Sequence, residues 1–199
     1  MYPVTETFHS LQGEGHHCGR SAFFIRLAGC DVGCPWCDTK HSWQQGVHPT
    51  RHVEQLVQEA VDAARDGACF TVITGGEPLQ HNLETLTSAL SSAELPRHLE
   101  TSGVGSLSGR FDWITLSPKA HRPPKQDMLQ QCDELKVVVH NPADLKFAEA
   151  MANQTPEGTV LLLQPGWGHT QAMTLAIEYI KYHPSWRLSL QTHKWLQIR

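Results

Sequence analysis

Three cysteines, Cys30, Cys34 and Cys37, stand at intervals of four and three in GCDVGCPWCDTKHSW (29–43). Thiolates at this density bind zinc or an iron–sulfur cluster. A structural zinc needs a fourth ligand, and His41 is available four residues after Cys37. Structural zinc loops usually pair their ligands in knuckles, however, and no second pair follows. The other reading leaves one coordination position open, which separates a reactive metal centre from a structural one. Further along, TGGEP (74–78) sets two glycines and an acid after an apolar run. Alone it reads as a turn. Beside a ligand, Gly75 and Gly76 would allow close backbone approach and Glu77 would offer a charge-assisted acceptor. Cys18, Cys69 and Cys132 are scattered and read as buried thiols.

Short apolar runs that suit strands covered on both faces carry these residues. They are SAFFIRLAG (21–29), FTVITGG (70–76), RHLETSG (97–103), DWITLSPK (112–119), ELKVVVH (134–140), TVLLLQP (159–165) and RLSLQTHK (187–194). Helical spacing recurs between several of them. Val53, Leu56, Val57, Ala60, Val61 and Ala64 form one stripe, closed by Gly67 at a C-terminal position. Asn141 or Asp144 caps a second helix, and TQAMTLAIEYIKYH gives a third. Segments 103–111 and 120–131 are too short or too rich in Gly and Pro for good helices. Strand–helix alternation predicts right-handed crossovers and a largely parallel sheet, here an incomplete β/α barrel with fewer helices than strands. The chemically loaded residues follow strand ends, from Cys30 through Glu77, Glu100 and SPK to Gln164 and QTHK. Parallel α/β folds bind ligands at that carboxyl edge, so one shared pocket is expected.

The chain of 199 residues, 40% apolar, predicts a single domain over 1–199. A net charge of -4 argues against a nucleic-acid-binding surface. No apolar run is long enough to span a membrane. The start MYPVTETFHSLQGEG lacks the basic-then-apolar pattern of a secretory signal, so a cytoplasmic location is expected.

CDVGCPWC resembles the CxxxCxxC loop of the radical S-adenosylmethionine (SAM) enzymes, with TGGEP and SPK following in the family's order. The resemblance implies a [4Fe-4S] cluster held by Cys30, Cys34 and Cys37, its fourth iron left to the amino and carboxylate groups of SAM. It also implies cofactor contacts from Trp36, Cys37, Asp38, Gly75, Gly76, Glu77, Ser117, Pro118 and Lys119. The fold expected is then the partial barrel of that superfamily. Nearly the whole chain further resembles the 7-carboxy-7-deazaguanine synthases, through SLQGEG (10–15), FFIRLAGC, VITGGEP, LETSG, SPK, LKVVV, LQP and RLSLQTHKWL.

That resemblance implies a radical lyase that converts 6-carboxy-5,6,7,8-tetrahydropterin to 7-carboxy-7-deazaguanine with release of ammonia, in queuosine precursor synthesis. One electron cleaves the sulfonium, the resulting 5'-deoxyadenosyl radical takes hydrogen from pterin C6, and the hydrogen returns after ring contraction. Leu11, Gln12 and Gly13 would line the pterin, with Thr74 and His193 also reaching it. Arg26 would meet the substrate carboxylate, which a guanidinium fork can bond at both oxygens. Thr39 would help hold Mg2+, which prefers oxygen ligands. A flavodoxin-type electron donor and a homodimer complete what the family implies. A glycyl-radical activase would share the cysteine loop but should lack LQGEG and QTHK. The short QQGVHPTR segment after Trp43 departs from the longer insertion common in the family.

Overall fold

A computed structural model of the chain describes residues 1–199. Strand β1 (Tyr2–Leu11) runs antiparallel to β2 (Ser21–Leu27) on one side and to the two-residue β3 (Thr50–Arg51) on the other. From β2 onward every pairing is parallel, through β4 (Thr71–Gly75), β5 (Arg97–Thr101), β6 (Trp113–Leu116), β7 (Glu134–Val139), β8 (Val160–Pro165) and β9 (Trp186–Leu188). The nine strands form one open sheet in the order β3-β1-β2-β4-β5-β6-β7-β8-β9. This is the partial barrel expected.

Helices α1 (Val53–Arg65), α2 (Glu84–Ser92), α4 (Pro142–Ala152) and α5 (Thr170–Tyr182) occupy crossovers, and α3 (Gln126–Leu129) is a single turn. Gly67 stops α1 with φ of +102°. Asn141 caps α4 by accepting from the Ala143 N–H at 2.9 Å, while Asp144 accepts from the Asn141 N–H. No helix lies between β5 and β6, where Gly103, Gly105 and Gly109 interrupt the chain. No helix is long and apolar enough to cross a membrane.

Alternation along β7 shows how the layers separate. Leu135, Val137 and Val139 enter a core of 28 buried residues shared with Leu145 and Ala148 of α4. Glu134 and Lys136 point to the other side and are just as buried. The inner face is therefore polar along β7, although that run reads as apolar on both faces, while β2 and β4 contribute Ala22, Phe24 and Val72 to a separate buried apolar cluster.

Three further expectations change. The run 187–194 stops being a strand at Leu188, and α6 (Thr192–Leu196) replaces its second half. The Thr192 N–H and Oγ1 both donate to the Gly13 carbonyl at 2.9 Å, which draws the chain off the sheet. Strand β1 and helix α2 were hidden by the polar residues within them. Of the three scattered cysteines only Cys132 is buried; Cys18 and Cys69 are exposed.

Strand pairing does not close the barrel, because β9 stops short of β1. The seam is held instead by isolated bonds from the LQGEG segment. Besides the Thr192 pair, Ser189 Oγ accepts from Gly15 N–H at 3.0 Å, and Glu134 Oε2 accepts from His16 N–H at 2.8 Å.

Beneath the cavity lies an aromatic floor. His98 stacks on Phe70 with ring centroids 4.0 Å apart, and His17 lies 4.7 Å from His98 and 4.6 Å from Trp113. Burial, then His17 and Arg20, push His98 down to about 3, against the opposing pull of Asp112. Burial, then His16 and Arg20, push His17 down to about 4. Both rings fold neutral, so below their ordinary value of 6.5 the unfolded chain takes up protons that the native one refuses. Thermal stability should thus fall as pH drops from 6.5 toward 4. His98→Phe, which keeps the stack, should flatten that decline in a melting series across the same pH range.

Candidate active site

A single cavity of about 800 Å³ opens at the carboxyl edge of the strands. This is near the top of the ~300–1,000 Å³ range for small-ligand pockets. Every residue singled out above as a site residue lines it except Pro118, which is buried beneath.

Cys30, Cys34 and Cys37 sit in the irregular segment between β2 and a 3-10 turn at Lys40–Ser42. The segment is pinned at its root, where Gly29 N–H donates to the Ser42 carbonyl at 2.7 Å and Cys30 N–H to the Trp43 carbonyl at 3.1 Å. A Cβ on Gly75 would strike the Leu27 backbone, and one on Gly76 would strike the Gly29 carbonyl and the Cys30 side chain. These glycines first of all let β4 approach the cysteine segment. Burial pushes the Cys30 and Cys34 thiols up, and the neighbouring cysteines add to this for both. All three cysteines line the same cavity. His41 is exposed and lies outside the cavity lining. It does not join the three thiols, which open to a large cavity and fit a cluster.

Glu77 is buried, and its carboxylate already accepts four hydrogen bonds. Oε1 takes Thr101 Oγ1 at 2.5 Å and Leu79 N–H at 3.0 Å; Oε2 takes Ser102 N–H at 2.8 Å and Ser102 Oγ at 2.5 Å. A carboxylate has about four acceptor positions. Glu77 thus has charge, and no vacant lone pair, to offer a cofactor ammonium. Lys119 Nζ donates to the carbonyl and Oγ of Ser117 at 2.6 and 2.7 Å. Burial pulls Lys119 below the usual lysine range.

Elsewhere on the lining, Gln12 Nε2 donates to Glu100 Oε1 at 2.9 Å, and Thr74 Oγ1 lies 3.4 Å from Glu100 Oε2. His193 packs where a Cβ on Gly13 would stand. Arg26 donates through Nε to Glu6 at 3.0 Å. Its terminal nitrogens make no protein hydrogen bond, so the outer fork remains open to the cavity. Thr39 Oγ1 lies 3.6 Å from Cys37 Sγ.

The sequence model of the Radical SAM superfamily matches residues 24–139. A 7-carboxy-7-deazaguanine synthase of Prochlorococcus marinus is 54% identical over 98% of this chain and 97% of its own length. That of Escherichia coli K12 is 35% identical over 100% of the chain and 99% of its own length. The crystal structure of QueE from Escherichia coli superposes with a TM-score of 0.83 at 35% identity, covering 96% of this chain and 94% of that one. The chain belongs to the 7-carboxy-7-deazaguanine synthase family of the radical SAM superfamily.

Some cavity residues of this family member escaped the sequence reading. Glu14 and Lys136 form a buried pair at 2.5 Å, and Gln191 Nε2 donates to the other Glu14 oxygen at 2.8 Å. Burial alone would discharge both partners. Lys136 outweighs it for Glu14, which is held low, and Glu14, Glu100 and Glu134 outweigh it for Lys136, which is held high. A signal was present, since a lysine inside ELKVVV must find an anion if it points inward. Its partner lies 122 residues away, beyond any local pattern.

Proposed function

We propose that this chain is a radical lyase that converts 6-carboxy-5,6,7,8-tetrahydropterin to 7-carboxy-7-deazaguanine with release of ammonia. What supports this reading is the gathering of two residue sets on one cavity: the cysteine segment, Glu77 and Lys119, and with them Gln12, Thr74, Arg26 and His193. Cys30, Cys34 and Cys37 would hold a [4Fe-4S] cluster. When bound, the cluster and SAM supply the one-electron chemistry that opens a carbon–hydrogen bond. The chain's own residues bind, orient and shield. Arg26, with its outer fork free, receives the substrate carboxylate. Gln12, Glu100 and Thr74 offer donors and acceptors to the flat amide edge of the pterin. Thr39 supplies one oxygen toward a Mg2+ ion. Trp36, Asp38, the glycines and Ser117 contact the cofactor.

The reading extends to a single domain over 1–199, a cytoplasmic location, a flavodoxin-type electron donor and a homodimer. Six cysteines of which none is paired fit a reducing compartment. The helix-free crossover between β5 and β6 leaves that side of the barrel thinly covered, which supports a second copy as its cover. A monomer by light scattering at working concentration would refute the dimer.

Anaerobic incubation with the pterin, SAM and a strong reductant tests the reaction, with product analysis as the readout. Absence of the deazaguanine from a cluster-loaded sample overturns it. Arg26→Ala should keep the cluster while pterin turnover falls by about 10²-fold, as expected when a charge-assisted carboxylate contact of ~1.5–3 kcal/mol is lost. Unchanged turnover would remove the carboxylate role from Arg26.

A further inference from the structure

The cysteine segment is joined to helix α6 by a side chain that has no role so far. Lys194 Nζ lies 2.6 Å from Asp38 Oδ2, one residue beyond the last cysteine. The same ammonium donates to Gln191 Oε1 at 3.0 Å and sits 5.4 Å from the centroid of the Trp167 ring. Trp167 in turn meets Trp195 edge-on, with centroids 5.4 Å apart at 75°. One cation therefore touches the cysteine segment, the loop after β8 and helix α6. Helix α6 carries His193 and is only five residues long, too short to hold its place unaided. At its start Thr192 is bonded to Gly13, but beyond that its outward residues Trp195 and Leu196 are 67% and 59% exposed. The cysteine segment is equally irregular. Its leading end is tied by Asp31 to Arg122, and its trailing end by Asp38 to Lys194.

We infer that Lys194 is a positioning residue that latches the cofactor-side cysteine segment to the substrate-side helix, so that binding of either ligand favours binding of the other. The inference rests on the function proposed above. An ion pair with a half-exposed carboxylate contributes little to overall stability. Its consequence is geometric, because the segment ending at Asp38 has irregular backbone, the helix presenting His193 is only five residues long, and the two share this fastening. A ligand that orders one side lowers the ordering cost of the other, and such coupling is reciprocal.

The test measures equilibrium binding of SAM to the cluster-loaded protein without reductant, in the presence and absence of the pterin, for the wild type, K194M and K194R. The wild type should bind SAM at least about 5-fold more tightly when the pterin is present, within the usual range for coupled sites. In K194M that ratio should collapse toward one while iron content is unchanged, and K194R, which can still reach Asp38, should restore it. A K194M ratio equal to the wild type's overturns the latch, as does a wild type with no coupling. Ligand-free tryptophan emission supplies an independent readout. Loss of the ammonium over Trp167 should shift K194M emission to the red and increase acrylamide quenching, with K194R close to wild type; identical spectra overturn the latch. If the wild type binds SAM but no pterin, the functional reading fails, and the emission comparison still decides the latch.

Discussion

Cys34→Ala protein, reconstituted anaerobically with iron and sulfide, is expected to lack the broad absorbance near ~400 nm and to leave SAM uncleaved. Cys34 is the buried member of the three, set between Cys30, Cys37 and the Lys119 ammonium. Two remaining thiolates cannot hold a cube of iron and sulfide. Cleavage activity should therefore fall below detection, by more than about 10⁴-fold. This equals or exceeds ~5.5 kcal/mol of lost transition-state stabilisation. Folding should be little disturbed, because Cys34 lines the cavity outside the main hydrophobic clusters and alanine there removes one sulfur. Iron and sulfide analysis beside a far-ultraviolet circular dichroism spectrum checks both halves. Full iron content in the variant would mean that the cysteine segment is not the cluster's seat.

Lys136→Met should produce the largest loss of stability among single changes in the cavity wall. Lys136 is 5% exposed at its side chain and bonded to Glu14, with Glu100 and Glu134 also acting on it. Methionine fills the space but leaves three acids facing one another without a cation. Breaking a buried pair from one side costs roughly 3–5 kcal/mol. At ~2–4 °C per kcal/mol for a chain of this size, the melting temperature should fall by about 6–20 °C. K136M combined with E14Q should recover much of the loss, since the amide carries no charge to strand. A K136M melt within a degree of wild type would show that the pair is solvated and unimportant to the fold.

Much of the fold was legible because its signals are local. The six parallel strands β2 and β4 to β8 fell on short apolar runs, and Gly67 and Asn141 ended and began helices where their backbone chemistry requires. What escaped was decided by distance in sequence. Strand β1 carries Thr, Glu, His and Ser and is identifiable only beside β2, with which it pairs along its length. The second half of 187–194 turned helical because Thr192 finds Gly13, not because of its own propensity. The same holds in the cavity. The glycines and cysteines announced themselves by spacing, but Glu77 reads as a ligand contact until its four donors are seen, three of them from Thr101 at the end of the next strand and Ser102 just beyond it. Glu14 with Lys136, and Asp38 with Lys194, are pairs that no window of sequence contains.

The open seam between β9 and the LQGEG segment has a bearing on how the molecule is made. Synthesis proceeds from the amino terminus, so the cysteine segment leaves the ribosome while residues 189–194 are still unmade. The cysteines at residues 30–37 are therefore available to iron and sulfide well before residues 189–194 exist. Ser189 and Thr192, translated long after the cysteines, complete the enclosure by reaching back to Gly15 and Gly13. Until they arrive the growing polypeptide has no chamber in which a radical could be confined, so metal loading and catalytic competence are separated in time by the order of the chain itself.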